Sequence, residues 1–396
     1  MTVGKTIQEN QIGGVVVGGD YQGLGIVRSL GRRKVPVCII DDEHSIARFS
    51  RYTTHAVAVE DLRDERQTAD AVLEIGHRLG LKGWVLYPTR DETVAAFARY
   101  RPMLTEWFRV PTPTWEAMQW VCDKRNTYRL ADELGIPTPK TWCPQDEDEL
   151  EQISIDPPLA LKPAIKEHFI YATKAKAWRA NSRAELRELF QRAVRHVGPG
   201  EVMIQDLIPG DGRQQFAYCA FFKGGRAVGS MVVRRSRQHP PEFGRASTFV
   251  ETVELPLLEA LSERFLRAID YYGLVELEYK LDPRDGQYKL LDVNGRTWGY
   301  HTLGSSAGVD FPYLLFADQL GEPVQPCRGR AGVSWIRLIT DVPTGILEIF
   351  GGHQDWRAYL RSLRRFNVEA VFSREDPLPW LVELALIPYL SVKRGF

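Results

Sequence analysis

Cysteine is scarce in this 396-residue chain. Cys38, Cys122, Cys143, Cys219 and Cys327 are odd in number, scattered and without CxxC spacing. That argues against a disulfide scaffold and a thiolate metal site, and makes a reducing, cytoplasmic setting the expectation. Excess charge is absent as well: Lys plus Arg and Asp plus Glu number 51 each, so nothing draws the whole chain to nucleic acid or an anionic membrane. Any anion site must be local. No run approaches the ~20 apolar residues that span a bilayer. The nearest, Pro377 to Val392, is broken by prolines, carries Glu383 and reads as a docked or interfacial terminal segment, not an inserted one. Met1 to Gly13 is polar, so no leader is expected. Internal repeats and low-complexity tracts are missing too.

What is present is enough apolar sequence, 44%, to bury two or three domains. Val15 to Gly18, a helical pattern over Leu24 to Arg33 and a second run Val35 to Asp41 predict a βαβ opening. Helical Thr68 to Leu79, a strand Trp84 to Tyr87 and helical Glu92 to Met103 continue the alternation of a Rossmann-like parallel sheet over residues 1–112. Pro111 to Pro113 marks a linker. Beyond it, a helix over Asp123 to Gly135 and strands at Leu159 to Lys162, Val202 to Asp206, Phe216 to Phe222, Ala227 to Arg234 and Thr248 to Leu255 predict an α+β region over 113–326. Helices near Ala184 to His196 and Leu258 to Tyr272 belong to it, as does a hairpin, Leu274 to Leu281 with Tyr288 to Val293, turned by Asp282-Pro283-Arg284-Asp285-Gly286. Residues 327–396 carry a weaker pattern and no assigned role.

The first loop, Gly18-Gly19-Asp20-Tyr21-Gln22-Gly23 with Asp41 downstream, invites a dinucleotide-binding reading. Asp20 stands where the backbone must approach the pyrophosphate, and its charge would repel that anion. The loop is expected to be a tight strand-to-helix turn.

The hairpin carries more chemistry. Strand alternation gives Glu276 and Glu278 one face, and Asp292, Asn294 and Arg296 one face on the partner strand. Acidic oxygens and an amide suit Mg²⁺, with Mn²⁺ as the alternative, and Arg296 offers a fork for a phosphoryl or carboxylate group. A solvated polar strand face would look similar for Glu276 alone. Glu278, a spacing of fourteen, then Asp292-x-Asn294-x-Arg296 resembles the signature of the ATP-grasp superfamily, over roughly Pro111 to Val324. The resemblance implies metal ligation by Glu278, Asp292 and Asn294 and ATP as nucleotide, with Lys124 and Lys162 on its phosphates. It also implies an adenine hinge at Gln205, Asp206, Leu207 and Ile208, and Asp211 near the ribose. Lys162 lies within an apolar strand, where an ammonium demands an anionic partner.

Two departures stand out. Asp292 replaces the more frequent Glu, and the phosphate-covering loop, Lys166 to Lys174, lacks glycine, so closure would fall to side chains such as Lys174. Arg234 and Arg237, off the face of Arg235, are candidates for the transferred phosphoryl group; Arg235 itself is weighed against a solvated basic edge. With Trp298-Gly299-Tyr300-His301 after Arg296, the pattern resembles the D-aspartate ligase-like, carboxylate–amine ligase group of that superfamily. That implies a small-molecule carboxylate, expected to be an amino acid, and an amine as substrates. Trp298 and Tyr300 are candidates to contact them, as are Arg90 facing a carboxylate or Asp91 facing an amine; Arg90 and Asp91 equally fit a helix start. An ATP-binding sensor without turnover and a nicotinamide oxidoreductase stay open as alternatives, and so does oligomeric state.

Overall fold

The computed structural model describes residues 11–244 and 246–389. The expectations for most of the amino-terminal stretch and for the end of the Pro377 to Val392 segment lie outside these residues. Strands β1 (Gly14–Val17), β2 (Val37–Asp41), β3 (His55–Ala58) and β4 (Val85–Pro88) form a parallel sheet in the order β3-β2-β1-β4. β1, β2 and β4 are buried throughout because helices cover both faces, whereas edge strand β3 alternates. Val15, Val17, Cys38 and Ile40 pack with Val72, Ile75 and Phe97 on one side. Val16 and Ile39 pack with Leu24 and Val27 of helix Tyr21–Gly31 on the other. The helical pattern at 92–103 divides into Asp91–Arg99 and Arg101–Thr105 because Pro102 suits a helix start rather than an interior.

A second, antiparallel sheet contains β5 (Thr141–Trp142), β6 (Leu159–Pro163), β7 (Trp178–Ala180) and β8 (Val202–Asp206), in the order β5-β8-β6-β7. Helix Arg183–Val197 lays Leu186, Phe190 and Ala193 on it, and its Ser182 cap accepts a hydrogen bond from the Glu185 amide at 3.1 Å.

The largest sheet comprises β9 (Gln215–Lys223), β10 (Arg226–His239), β11 (Ala246–Val253), β12 (Gly273–Leu281), β13 (Tyr288–Asn294), β14 (Cys327–Arg328), β15 (Ser334–Ile336) and β16 (Val368–Glu369). Its order is β13-β12-β9-β10-β11-β15-β16, with β14 beside β10. Tyr218, Phe222, Val275, Leu277 and Tyr279 point to helix Pro256–Ala268. Cys219, Phe221, Met231, Val233 and Val250 point the other way, into a core shared with the first domain. The candidate site lies at one end of that second face.

The segment after residue 326 adds β14, β15 and β16 to this sheet and clamps the first domain to it. Trp335 on β15 is fully buried against Tyr21 and Tyr300. Arg28 meets Asp376 at 3.0 Å, and Asp376 also accepts from the Ser50 hydroxyl at 2.7 Å, all three side chains out of solvent, and from the Arg51 amide at 2.9 Å. Arg32 and Glu375 form a neighbouring but exposed pair at 3.1 Å. Removing one partner of a buried pair strands the other charge, whereas an exposed pair contributes little. Asp376→Ala is therefore expected to cost about 3–5 kcal/mol in denaturant unfolding and Arg32→Ala less than ~1 kcal/mol. Equal losses would contradict this account of the clamp.

Candidate active site

Backbone register brings the acids together. Glu278 lies directly opposite Asp292, and Glu276 opposite Asn294, across the β12/β13 pair. Directly opposed side chains sit roughly 5 Å apart at Cβ. A bulge makes this compatible with a core: pairing shifts between Glu278 and Tyr279, so Leu291 is extra. Leu290 then turns into the core beside Tyr279 while Asp292, two residues on, faces the cavity.

The Asn294 amide donates to Glu276 at 3.1 Å and to Glu278 at 3.2 Å, and its carbonyl accepts from Arg296 at 3.2 Å. A metal ligated by that carbonyl would replace the arginine there. Among the described residues, no three acidic, histidine or cysteine side chains gather round one point. The candidate ligand set is thus two carboxylates and an amide, a sparse oxygen set of the kind Mg²⁺ completes with water and phosphate oxygens.

A cavity of about 460 Å³ lies between the second sheet and the hairpin. Lys124, Lys162, Lys166, Lys176 and Arg235 line it with Glu278, Asp292 and the segment Gln205 to Asp211. A smaller cavity of about 70 Å³ shares Lys176, Arg235 and Glu278 and extends to Gln22, Ser247, Glu276, Asn294, Arg296 and Tyr300. Lys124 reaches Asp292 at 2.5 Å, and Arg235 reaches Glu278 at 2.5 Å. Burial would raise the Asp292 carboxyl, but Lys124 and then Lys166 outweigh it and hold it below the usual range. Glu278 is likewise lowered, burial being outweighed by Arg235 and Lys176. Glu276 goes the other way: burial, then the adjacent Glu278 charge, push it up to about 7. It accepts from the Tyr300 hydroxyl.

Cations are crowded enough to leave some unsatisfied. Burial lowers the Lys176 ammonium to about 8 despite the pull of Glu278. Among the described residues the buried Arg235 Nε has no hydrogen-bond acceptor. Both features fit a polyanion that would sit between them.

The adenine-hinge candidates form one wall. Gln205 donates to Thr141 at 2.8 Å, Asp206 pairs with Arg284 at 2.5 Å, and Lys280 pins the Ile208 and Gly210 carbonyls at 2.8 and 2.9 Å. Leu207 and Ile208 line the cavity, and Asp211, at its rim, pairs with Arg213. Lys162 points into the cavity, but its partner is the Tyr128 hydroxyl at 2.5 Å and not the carboxylate or phosphate expected of a lysine in an apolar strand. The side chain is half-buried, so water can solvate it.

Several expectations are corrected. The glycine-free stretch after Lys166 is a helix, Lys166–Thr173, anchored by buried Phe169 on Trp178, and not a loop. Lys174 ends that helix at φ 57° with an exposed side chain outside both cavities, and Lys166 and Lys176 enter instead. Arg234 faces away, exposed, and pairs with Glu251 at 3.1 Å. Arg237, displaced by irregular pairing on either side of it, is held by Asp341 at 2.8 Å and Ser362 at 3.0 Å. Arg235 is the arginine of β10 that shares the face of Glu278; its parity with Met231 and Val233 was the available signal. Trp298 is fully buried against Phe311, away from both cavities. Arg90 is spent on Asp41 and Asp42, each at 2.7 Å. Asp91 is bound by Lys166 and Arg296, joining the first domain to the site, and those cations hold it far below the usual range against burial.

In the first glycine loop the candidate ribose acid is already engaged by the loop and by Arg90. Asp41 accepts from the Gly19 amide at 2.6 Å, and Gly18 adopts φ 94°.

No family model matches the chain. It is 23% identical over 319 residues to a D-aspartate ligase of Enterococcus faecium (strain Aus0004), covering 76% of this chain and 75% of that protein. The fold matches the biotin carboxylase domain of Hydrogenobacter thermophilus 2-oxoglutarate carboxylase, solved with MgADP and bicarbonate (TM-score 0.65, 16% identity, 82% of this chain and 74% of that one). It also matches an L-amino acid ligase from Bacillus licheniformis (TM-score 0.60, 16% identity, 79% and 75%). The architecture is the ATP-grasp fold. Taken with the D-aspartate ligase relative, it makes the chain similar to ATP-grasp carboxylate–amine ligases.

His301 supports the site from behind. Its Nε2 lies 2.9 Å from the Gln22 carbonyl, and a Cβ at Gly25 would collide with the ring. Burial lowers its pKa to about 4. A histidine held neutral in the fold gains a proton more readily when unfolded, so its contribution is intact above ~6.5 and is lost as pH falls towards 4. Melts of wild type and His301→Gln across this range should converge at low pH by up to ~3 kcal/mol. A constant difference would rule the linkage out.

Proposed function

We propose that the chain uses ATP to activate an amino-acid carboxylate as an acyl-phosphate and transfers that acyl group to an amine, releasing ADP and phosphate. The observation that carries the reading is the pairing of Glu278 with Asp292 at the mouth of a cavity lined by Lys124, Lys162, Lys166, Lys176 and Arg235. ATP brings about four negative charges, and phosphoryl transfer depends on fixed cations that position and neutralise them. Mg²⁺, held by Glu278 and Asp292 with Asn294, would supply further neutralisation between the terminal phosphates.

In this reading the segment Gln205 to Ile208 receives adenine, and Lys124, Lys162 and Lys176 receive phosphates. The smaller cavity takes the carboxylate, with Arg235 and Arg296 directing its oxygen at the γ-phosphorus. The carboxylate oxygen bonds to phosphorus as the bridge to ADP breaks; the amine then attacks the acyl carbon and phosphate leaves. Tyr21, Gln22 and Trp335 wall the smaller cavity, which limits water that would hydrolyse the intermediate. The relative's name makes D-aspartate the first carboxylate to try.

ADP release across amino acids and amines, with mass spectrometry of the product, tests this directly. Mg·ATP binding without ADP release from any pair would favour a nucleotide sensor. Lys162→Ala is expected to weaken ATP binding about tenfold or more, and Asp292→Ala to abolish turnover while melting remains cooperative. Wild-type turnover in Asp292→Ala would refute the assignment.

A further inference from the structure

The arginine that leaves the site, Arg237, anchors a structure of its own. Helices Leu338–Phe350 and Trp356–Leu363 form a hairpin whose inner side is fixed by Arg237 on Asp341 and Ser362. Tyr359 fits against Gly345 there, so closely that a Cβ would come within 2.4 Å of its ring. Among the described residues nothing covers the outer side. Phe350 is 86% exposed, Leu347 68% and Trp356 53%, with Ile346 and Leu360 close behind, all on either side of the turn 351–355.

Helical spacing sets Arg357, Arg361 and Arg364 on a stripe beside Trp356 and Leu360 and opposite Tyr359. These three and Arg365 are exposed, and none forms an ion pair among the described residues. The nearby acids form no ion pair with them among the described residues: Asp355 caps the second helix through the Arg357 and Ala358 amides, and Glu348 is half-buried on the first.

We propose that this hairpin tip is a peripheral docking surface for an anionic lipid membrane. The exposed apolar area is on the order of 500 Å², the size of the largest, often functional, patch on a monomer and short of the ~800 Å² per partner of a stable dimer. A two-fold contact between copies would also set one arginine cluster against the other. An exposed tip with aromatic and aliphatic side chains bordered by arginines suits a bilayer interface: the rings and leucine enter the acyl boundary and the guanidinium groups meet lipid phosphates. No helix among the described residues is long and apolar enough to cross a membrane, so the contact is superficial.

The full chain would be sedimented with vesicles of phosphatidylcholine alone and of phosphatidylcholine mixed with phosphatidylglycerol. Binding is expected only to the mixture and should weaken with salt. Phe350→Ser with Trp356→Ser, and separately Arg361→Glu with Arg364→Glu, should each lower the bound fraction about tenfold with unchanged circular dichroism. The proposal falls if the anionic vesicles are not bound, if both variants bind as wild type, or if the chain forms a dimer that Phe350→Ser with Trp356→Ser dissolves.

Discussion

Carboxylates and cations buried at the end of one sheet face have to satisfy one another. Glu278 and Asp292 cannot both remain ionised out of water unless Arg235 and Lys124 stand beside them, and those cations cannot be buried without the acids. Around this exchange the surrounding geometry is arranged: the bulge at Leu291 turns Asp292 inward, Tyr128 steadies Lys162, and Asn294 bridges the two glutamates. Two cations nevertheless lack full compensation, the Arg235 Nε and the Lys176 ammonium, and they face the space where phosphates would lie. Compensation that is nearly but not wholly internal gives an anion something to gain by entering.

Charge also ties the parts of the chain together. Asp91 of the first domain ends on Lys166 and Arg296, and Asp376 of the last segment ends on Arg28. Arg337 meets Glu383 at 2.8 Å, both fully buried, so the terminal helix Leu378–Ala385 docks through its single acid. These contacts hold the first sheet against one face of the large sheet, to which the carboxyl-terminal strands belong, closing the smaller cavity with Tyr21 on one side and Trp335 on the other.

Much of this was legible from residue order. Alternation along β12 and β13 was enough to gather Glu276, Glu278, Asp292 and Asn294, because a hairpin with an apolar partner face has one workable register. The first sheet followed from unbroken apolar runs, but the single helix expected over Glu92 to Met103 ran through Pro102, beside which the chain starts a new helix. Arg235 was misjudged because alternation says which residues share a face and not which face meets the cavity. Irregular pairing around Arg237 then broke the alternation altogether. Lys176 was missed because the segment before it was taken as a mobile cover; Phe169 on Trp178 is a contact between a helix and a strand that local pattern does not reveal. Trp298 lay two residues from Arg296, yet the chain leaves the strand at Asn294, so strand parity no longer applied to it.

Asp91 deserves its own consequence. It occupies Arg296 and Lys166 with a carboxylate that belongs to the protein. An incoming anion that uses either cation competes with a tethered rival, so its measured affinity reports the difference between two anions and not the strength of one. The tether also makes the rival's return unimolecular, independent of how much ligand is in solution, so the release of such an anion would be helped by the side chain waiting to take its place.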